Sequence, residues 1–368
     1  MKGEEIMNTL RLNPLPTPTW NWLHCNDTNV TVPAGLSEVE VQEVLPAEAE
    51  TAKVAAADVP AVETSAGPAF DKYLAETGLS AEEVKIADKV LASQAVNKKI
   101  AFNANAEAGR AVYRVGKGAS LTIAHFFTAK DFDLAGDEGA NPKARKFVSY
   151  DTRIIADEEA EVVLVDVIDM PGDVTFVDNI GGSAAKSANV KVIQVLLNGG
   201  NVLTGTALGL DGDKATVQID TGYVVKNQEN LDINYVIRHR GKYTDTKIAA
   251  NGVLRDQATK TFRDTIDFIR GCKASTGDER EDVLLMNPGI VNKSVPLILC
   301  AEEDVEGTHG ASIGKISDEE LFYFESRGIS EEDVQELMAK SRIDAVVGRI
   351  PDEAVRTELM QKLHPEEF

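Results

Sequence analysis

Apolar positions along this chain change their period twice. Phe70, Tyr73 and Leu74 fall at i, i+3 and i+4, Ser80-Ala-Glu-Glu83 has the form of a helix capping box, and Val84, Ala87 and Leu91 extend the apolar face. This spacing predicts a helical segment over 69–99. From about Ile100 the period becomes two. Ala215, Val217 and Ile219 alternate with polar residues, as do Leu231, Ile233, Tyr235 and Ile237. Val163, Val165 and Val167 sit in a nearly continuous apolar run, the pattern of a strand buried on both faces. Strand-like runs recur at 120–127, 147–155, 161–168, 173–178, 189–197, 201–208, 214–219, 231–238 and 246–254. Between them stand turn-forming clusters such as Gly181-Gly182, Asn198-Gly-Gly-Asn201 and Asp211-Gly212. No helical pattern interrupts these runs, which excludes a doubly wound α/β sheet and leaves a sandwich, a barrel or a β-helix. No strict repeat is visible, but β-helix coils stack by shape and need not repeat in sequence.

The tail returns to the helical period. Ser317-Asp-Glu-Glu320 and Ser330-Glu-Glu-Asp333 read as helix starts, a capping serine followed by acids that favour the positive end of the helix dipole. Val334, Leu337, Met338 and Ser341 mark one face of the second helix. Pro351 opens a third, with Val355, Leu359 and Leu363 spaced by four. At the other end, residues 1–45 form an arm that Trp20 and Trp22 are expected to anchor on the body. Residues 46–68 are rich in Ala, Glu, Val and Pro without a steady period, and read as a flexible linker. The expected organisation is therefore arm 1–45, linker 46–68, helical segment 69–99, β core 100–305 and helical domain 306–368.

Composition narrows the function classes. With 38 basic and 60 acidic residues in 368, the formal charge is −22, so a broad nucleic-acid-binding face is not expected. No run approaches the ~18 apolar residues of a membrane helix, and Met1 to Pro18 lacks a basic start followed by an apolar stretch. A cytoplasmic protein that binds neither membrane nor nucleic acid is the expectation. Cys25, Cys272 and Cys300 are odd in number and far apart, with no Cys-x-x-Cys, so neither a disulfide framework nor a self-contained zinc or iron–sulfur site has a local signature.

Candidate chemistry is sparse. Gly310-Ala-Ser-Ile-Gly314-Lys315 resembles a phosphate loop but is one residue short between the glycines and has Ile316 where Ser or Thr should hold magnesium. His125 and His239 fall on the apolar sides of their runs and read as satisfied core residues, with a ligand role as the alternative. His309 sits in Glu306-Gly-Thr-His-Gly-Ala-Ser312, expected as a loop between the last strand and the first tail helix. Glu302, Glu303, Asp304 and Glu306 lie just upstream, and imidazole with carboxylates suits a first-row metal, against the plainer reading of a solvated acidic loop. Cys300 ends the apolar run Val295-Pro-Leu-Ile-Leu-Cys300 and reads as a buried, inert thiol, while Cys272 and Cys25 lie in polar contexts without an evident activating base.

The block Thr308-His-Gly-Ala-Ser-Ile-Gly-Lys-Ile-Ser-Asp-Glu-Glu-Leu-Phe-Tyr-Phe-Glu-Ser-Arg-Gly-Ile-Ser330 closely resembles the SufB/SufD family. Asn234-Tyr-Val-Ile-Arg-His-Arg-Gly-Lys-Tyr-Thr-Asp245, Asn251 to Ala258, Phe262 to Ile266 and Arg153 to Val165 extend the likeness, and Thr19-Trp-Asn-Trp-Leu23 is similar to the opening motif of SufD-like members. The likeness is good from about residue 145 onward and thin from 24 to 140. His309-Gly-Ala-Ser312 is SufD-like where SufB-type chains read His-Glu-Ala-Thr, and Glu281 stands where SufB-type chains carry a scaffold cysteine. The resemblance implies a mainly β protein, a right-handed parallel β-helix with an N-terminal helical part and a C-terminal helical domain. It implies a non-catalytic scaffold subunit of the SUF iron–sulfur cluster assembly complex, paired through the β-helix with a SufB-type subunit or, when isolated, with a second copy. The tail would dock the SufC ATPase through Leu321, Phe322, Val334, Leu337 and Leu359. His309 would bind iron or a transient cluster only in the complex, contributing to iron acquisition, and no cofactor would be held stably by the chain alone. Cys272 and His239 are secondary ligand candidates. Two other readings compete: a SufB-type scaffold that builds the cluster on its own thiolate, and a β-helix carbohydrate-processing enzyme, which would need paired carboxylates in a groove and aromatic platforms.

Overall fold

In the computed structural model, residues 8–19, 21–130 and 146–364 are described. Trp20, expected to anchor the arm, lies outside the described residues. A hairpin of β1 (Asn8–Leu12) and β2 (Thr28–Val32) precedes the short strands β3 (Ser37–Glu38), β4 (Val41–Val44) and β5 (Glu50–Val54), then helix α1 (Pro68–Thr77), β6 (Ala81–Ile86) and β7 (Val96–Phe102). A long alternation follows: β8 (Ala106–Val115), β9 (Ser120–Ala129), β10 (Lys146–Ala156), β11 (Glu161–Asp169), β12 (Val174–Ala184), β13 (Asn189–Asn198) and β14 (Asn201–Leu210). It continues through β15 (Thr216–Val225), β16 (Asn230–His239), β17 (Asp245–Leu254), β18 (Thr259–Phe268), β19 (Ser275–Leu285), β20 (Val291–Cys300) and β21 (Val305–Gly314). Helices α2 (Asp318–Glu325), α3 (Glu331–Val347) and α4 (Glu353–Leu363) close the described chain.

Even-numbered strands from β6 to β20 pair parallel in one sheet, odd-numbered strands from β7 to β21 in the other, so each coil adds one strand to both. This is the parallel β-helix that the resemblance implies, one of the three architectures the strand pattern left open. Its regularity lies in a corner. Lys89, Gly118, Glu159, Ser187, Lys214, Tyr243 and Ala274 all adopt positive φ. Each of the first six donates its N–H to the carbonyl of the residue that precedes the next member, as from Glu159 to Lys186 at 2.9 Å and from Lys214 to Lys242 at 2.8 Å, and Ala274 donates to Asp304. The left-handed conformation turns the chain, and the stacked bond saves the corner amide from being buried unpaired. Six of these seven residues are not glycine, so no motif announces the repeat.

Inward side chains from both sheets form one long core, which includes Phe102, Tyr113, Phe127, Phe176, Ala215, Val217, Ile219, Leu231, Ile233, Tyr235 and Ile237. The β11 run is buried on both faces, as its apolar pattern predicts. Val162 and Leu164 face the interior, while Val165 and Val167 lie under Ile343, Val346, Val347, Val355 and Leu359 of the tail. Gly222 admits α3 closely, since a Cβ there would stand 3.1 Å from Val346. On the opposite outer face Leu12, Ala66, Phe70, Tyr73 and Leu74 cover Phe147, Val177 and Leu203.

Several expectations are corrected. The stretch 46–68 is not a free linker: β5 pairs antiparallel with β6, and Ser65 and Ala66 are buried against the sheet. Only the first third of 69–99 is helical. Ser80 to Glu83 caps nothing, because Val84 and Ile86 alternate into the core of a strand paired with β8, and tertiary burial outweighs the local cap signal. The β core therefore begins at β6 and runs to Gly314, and helix begins only at Asp318. Gly181-Gly182 is strand rather than turn. Glu63 and Thr64 cross over Gly181 so closely that a Cβ would lie 2.2 Å from the Glu63 carbonyl oxygen. Trp22 is 71% exposed and is not buried on the body as expected; buried Arg263 holds the arm, its Nε donating to the Cys25 carbonyl at 2.6 Å. Among the described residues, no helix is long and apolar enough to cross a membrane.

Candidate functional site at the open end of the solenoid

The two ends of the solenoid differ. At the start, the last strands are the short β4 and β5, which lie antiparallel on β7 and β6. At the far end, among the described residues, the ten-residue β20 pairs only with β18 and β21 only with β19, both parallel. Their outer edges carry unpaired backbone donors and acceptors, which in a free protein invite another strand. Val295, Leu297 and Leu299 face outward while Pro296 and Ile298 face inward, all half-buried. A strand apolar on both faces is suited to cover on both. Val291 and Ile313 are 43% and 49% exposed at the same end.

His309 lies in the middle of β21, not in a loop, and is exposed. Its register partner is Glu279 of β19. Glu279 is buried on the inner face, and as its register partner His309 shares that face of the sheet. Burial pushes the Glu279 carboxyl up to about 7. Beside it, Glu281 is buried with Lys260, Ser294 and the Tyr223 hydroxyl, which donates to it at 3.4 Å. Asp264, from the facing sheet, is held well above the usual carboxylate range by burial and carries an unpartnered Oδ1. On the outer side, Thr308 donates to Asp278 at 2.5 Å and Arg280 pairs with the same carboxylate at 3.0 Å.

The secondary candidates do not join this site. His239 is buried, its two ring nitrogens 2.7 and 2.8 Å from Thr244 and Thr246 and its ring 4.7 Å from that of Phe268. Burial pulls it down to about 4, so it is a neutral, satisfied core histidine. His125 is likewise internal, bonded to Tyr113 at 2.7 Å. Cys272 is buried among Ile266, Phe268, Ile298 and Val305, and burial raises its thiol. Cys300, expected inside, is exposed where β20 ends and the next coil that would cover it is missing; its Sγ lies 3.0 Å from the Glu302 carbonyl oxygen. Cys25, read as lying in a polar context, is buried.

The tail splits as well. The first two helix starts are capped as predicted, by Ser317 with Glu320 and by Ser330, and the third is capped by Asp352, next to the Pro351 expected to open it. Val334 and Leu359 are fully buried, Leu359 against the solenoid beside Val165 and Ile193, and so do not form an exposed docking surface. Phe322, Tyr323 and Leu337 are 71%, 54% and 53% exposed, and Leu321 is half-buried. Sequence reasoning missed Tyr323, Glu279 and the Lys260–Glu281 pair, although the alternation of β19 carries a signal: two acids two residues apart in an inward series.

Fold and site together define a parallel β-solenoid whose exposed chemistry is concentrated at one unpaired end. Residues 99–342, well over half of the chain, match the family model for the SufBD core domain of SUF-system iron–sulfur cluster assembly, and the chain belongs to that family. It is 25% identical over 221 residues to the iron–sulfur cluster assembly protein SufD of Bacillus subtilis, a match covering 60% of this chain and 50% of the relative. It is 23% identical over 168 residues to SufD of Escherichia coli, covering 46% and 40%. A chloroplastic SufBD family protein of Arabidopsis thaliana is 22% identical over 182 residues, covering 50% and 33%. The matched stretch thus spans half or less of these curated relatives.

Proposed function

We propose that this chain is the SufD-side, non-catalytic scaffold subunit of a SUF iron–sulfur assembly complex, paired with a SufB-type subunit and docked to a SufC-type ATPase. The observation that carries the reading is the open end: two parallel edge strands, one of them an incompletely covered apolar strand and the other carrying exposed His309. A partner solenoid presenting its own edges would continue both sheets and bury β20. His309 would then lie at the seam, where its imidazole and the partner's donors bind iron or a nascent cluster as cargo. Phe322, Tyr323 and Leu337 form the exposed apolar part of the tail and supply the ATPase contact, with nucleotide-driven motion passed to the seam through α3. The alternative of a cluster built on this chain's own thiolate finds little support, since Cys272 is buried with a raised thiol and Glu281 is locked to Lys260. The test is co-expression with SufB-type and SufC-type partners, followed by purification and stoichiometry. Leu297→Asp with Leu299→Asp should release the SufB-type partner and leave the fold intact. Retention of that partner, or a complex assembled through another surface, overturns the pairing.

A further inference from the structure

We infer that Glu279 and His309 together form half of a divalent-metal site, a carboxylate oxygen and an imidazole nitrogen presented side by side by neighbouring strands for ferrous iron or another first-row divalent cation. This rests on the reading of His309 as cargo ligand and gives it a second donor from the same chain. The two residues are register partners on β19 and β21. Paired side chains on adjacent strands stack at roughly the 4.8 Å strand spacing, close enough for both to reach one ion. Glu279 is only 3% exposed, and the cation that acts on its carboxylate, Lys260, is paired with Glu281. A buried carboxylate without a cation of its own is costly, and a bound metal ion removes that cost. The other acids nearby are engaged or turned away. Glu281 is held by Lys260 and Ser294, and Asp278 faces outward to Thr308 and Arg280. A nitrogen–oxygen pair suits iron(II), manganese, cobalt or zinc rather than soft copper(I). Among the described residues no group of three or more His, Cys, Asp and Glu could hold a metal, so two donors are half a site and the rest must come from the bound partner.

The full chain is titrated anaerobically with cobalt(II), whose visible absorption reports coordination, and a melting curve is recorded for each variant. The wild type should show weak, saturable binding. Glu279→Gln, nearly isosteric and freed of a buried charge, should stay folded and lose at least the roughly tenfold in affinity that removal of even an outer-shell partner costs a metal site. Glu279→Asp should restore part of it, and His309→Ala should abolish the absorption. Wild-type affinity in both Glu279 variants, with His309→Ala inactive, overturns the second donor and leaves the proposed function standing. Unchanged binding in His309→Ala removes both. Should Glu279→Gln fail to fold, Glu279→Asp decides, since wild-type affinity with the carboxylate drawn back by one methylene contradicts direct ligation. Absence of saturable binding by the wild type contradicts the half-site.

Discussion

The closed and open ends of this solenoid solve the same problem in opposite ways. At the closed end, short antiparallel β4 and β5 lie over the first parallel strands of both sheets, and buried Lys98 meets Glu43 at 2.9 Å and also pairs with Glu82. Those carboxylates keep about a third of their surface in solvent. At the open end the last strands are unsealed, and Lys260 pairs with a Glu281 that is as buried as itself. Among the described residues each end leaves an outer edge unpaired, but one is finished by short, mostly polar antiparallel strands and the other by two full-length parallel strands, the edge better suited to take up further strands.

The largest effect should separate the two lysines. Lys260→Met strands Glu281 in the interior and should cost roughly 3–5 kcal/mol, as breaking a buried pair does. Lys98→Met leaves carboxylates that water can reach, and should cost clearly less. Urea unfolding of both variants checks the order, and equal losses would break the comparison.

Between the ends, a smaller effect depends on pH. Asp166 and Asp178 are buried and held well above the usual carboxylate range by desolvation. Nδ1 of His125 stands 2.9 Å from Asp166 and is held neutral by burial, its pKa well below the usual value. Tyr113, Tyr150 and Lys98 line the same region. The folded state therefore keeps protons on these acids that the unfolded chain releases above about pH 3.9, so their contribution falls as pH rises, by up to about 1.4 kcal/mol per unit for each proton. His125 acts oppositely: its contribution is full above about pH 6.5 and is lost as pH falls below it. The two trends offset each other between about pH 3.9 and 6.5, and the loss with rising pH ends where the acids ionise in the fold. Asp166→Asn should lessen that loss in denaturation measured at a series of pH values from about 4 upward. An unchanged slope would show that the acid is ionised in the fold.

The smallest stability effects should come from exposed residues. Phe322→Asp with Leu337→Asp should change stability by less than about 1 kcal/mol and abolish ATPase-partner binding in a pull-down. His309→Ala should be equally mild in its melting temperature yet strongly reduce the iron and sulfide content of the purified complex. A His309→Ala chain that melts early would make the residue structural.

The alternating strands, the buried histidines and the tail caps were legible in the sequence because each depends on neighbours a few residues away. The ends of the core were not. Ser80-Ala-Glu-Glu83 has the letters of a cap, but Val84 and Ile86 are claimed by the interior. Residues 46–68 lack a periodic face because they cross a sheet instead of building one, and Gly181 is small because of that crossing. Cys300 ends an apolar run that would be internal in any coil but the last. The tail reads as a separate domain, yet its Val346 and Leu359 cover Val165 and Ile193, so removing 317–368 should uncover part of the solenoid instead of leaving it untouched. Of the site, His309 was found through its block, whereas Glu279 becomes visible only when the strand register places it alongside.

Amide hydrogen exchange of the chain, alone and in complex with its SufB-type partner, tests the central claim most directly. The free chain should exchange fast at the outward amides of β20 and β21 and slowly at β6 and β7. On partner binding the new protection should fall on β20 and β21, while the closed end stays as it was. Protection gained at the closed end or the hairpin, with β20 and β21 still open, would contradict the account.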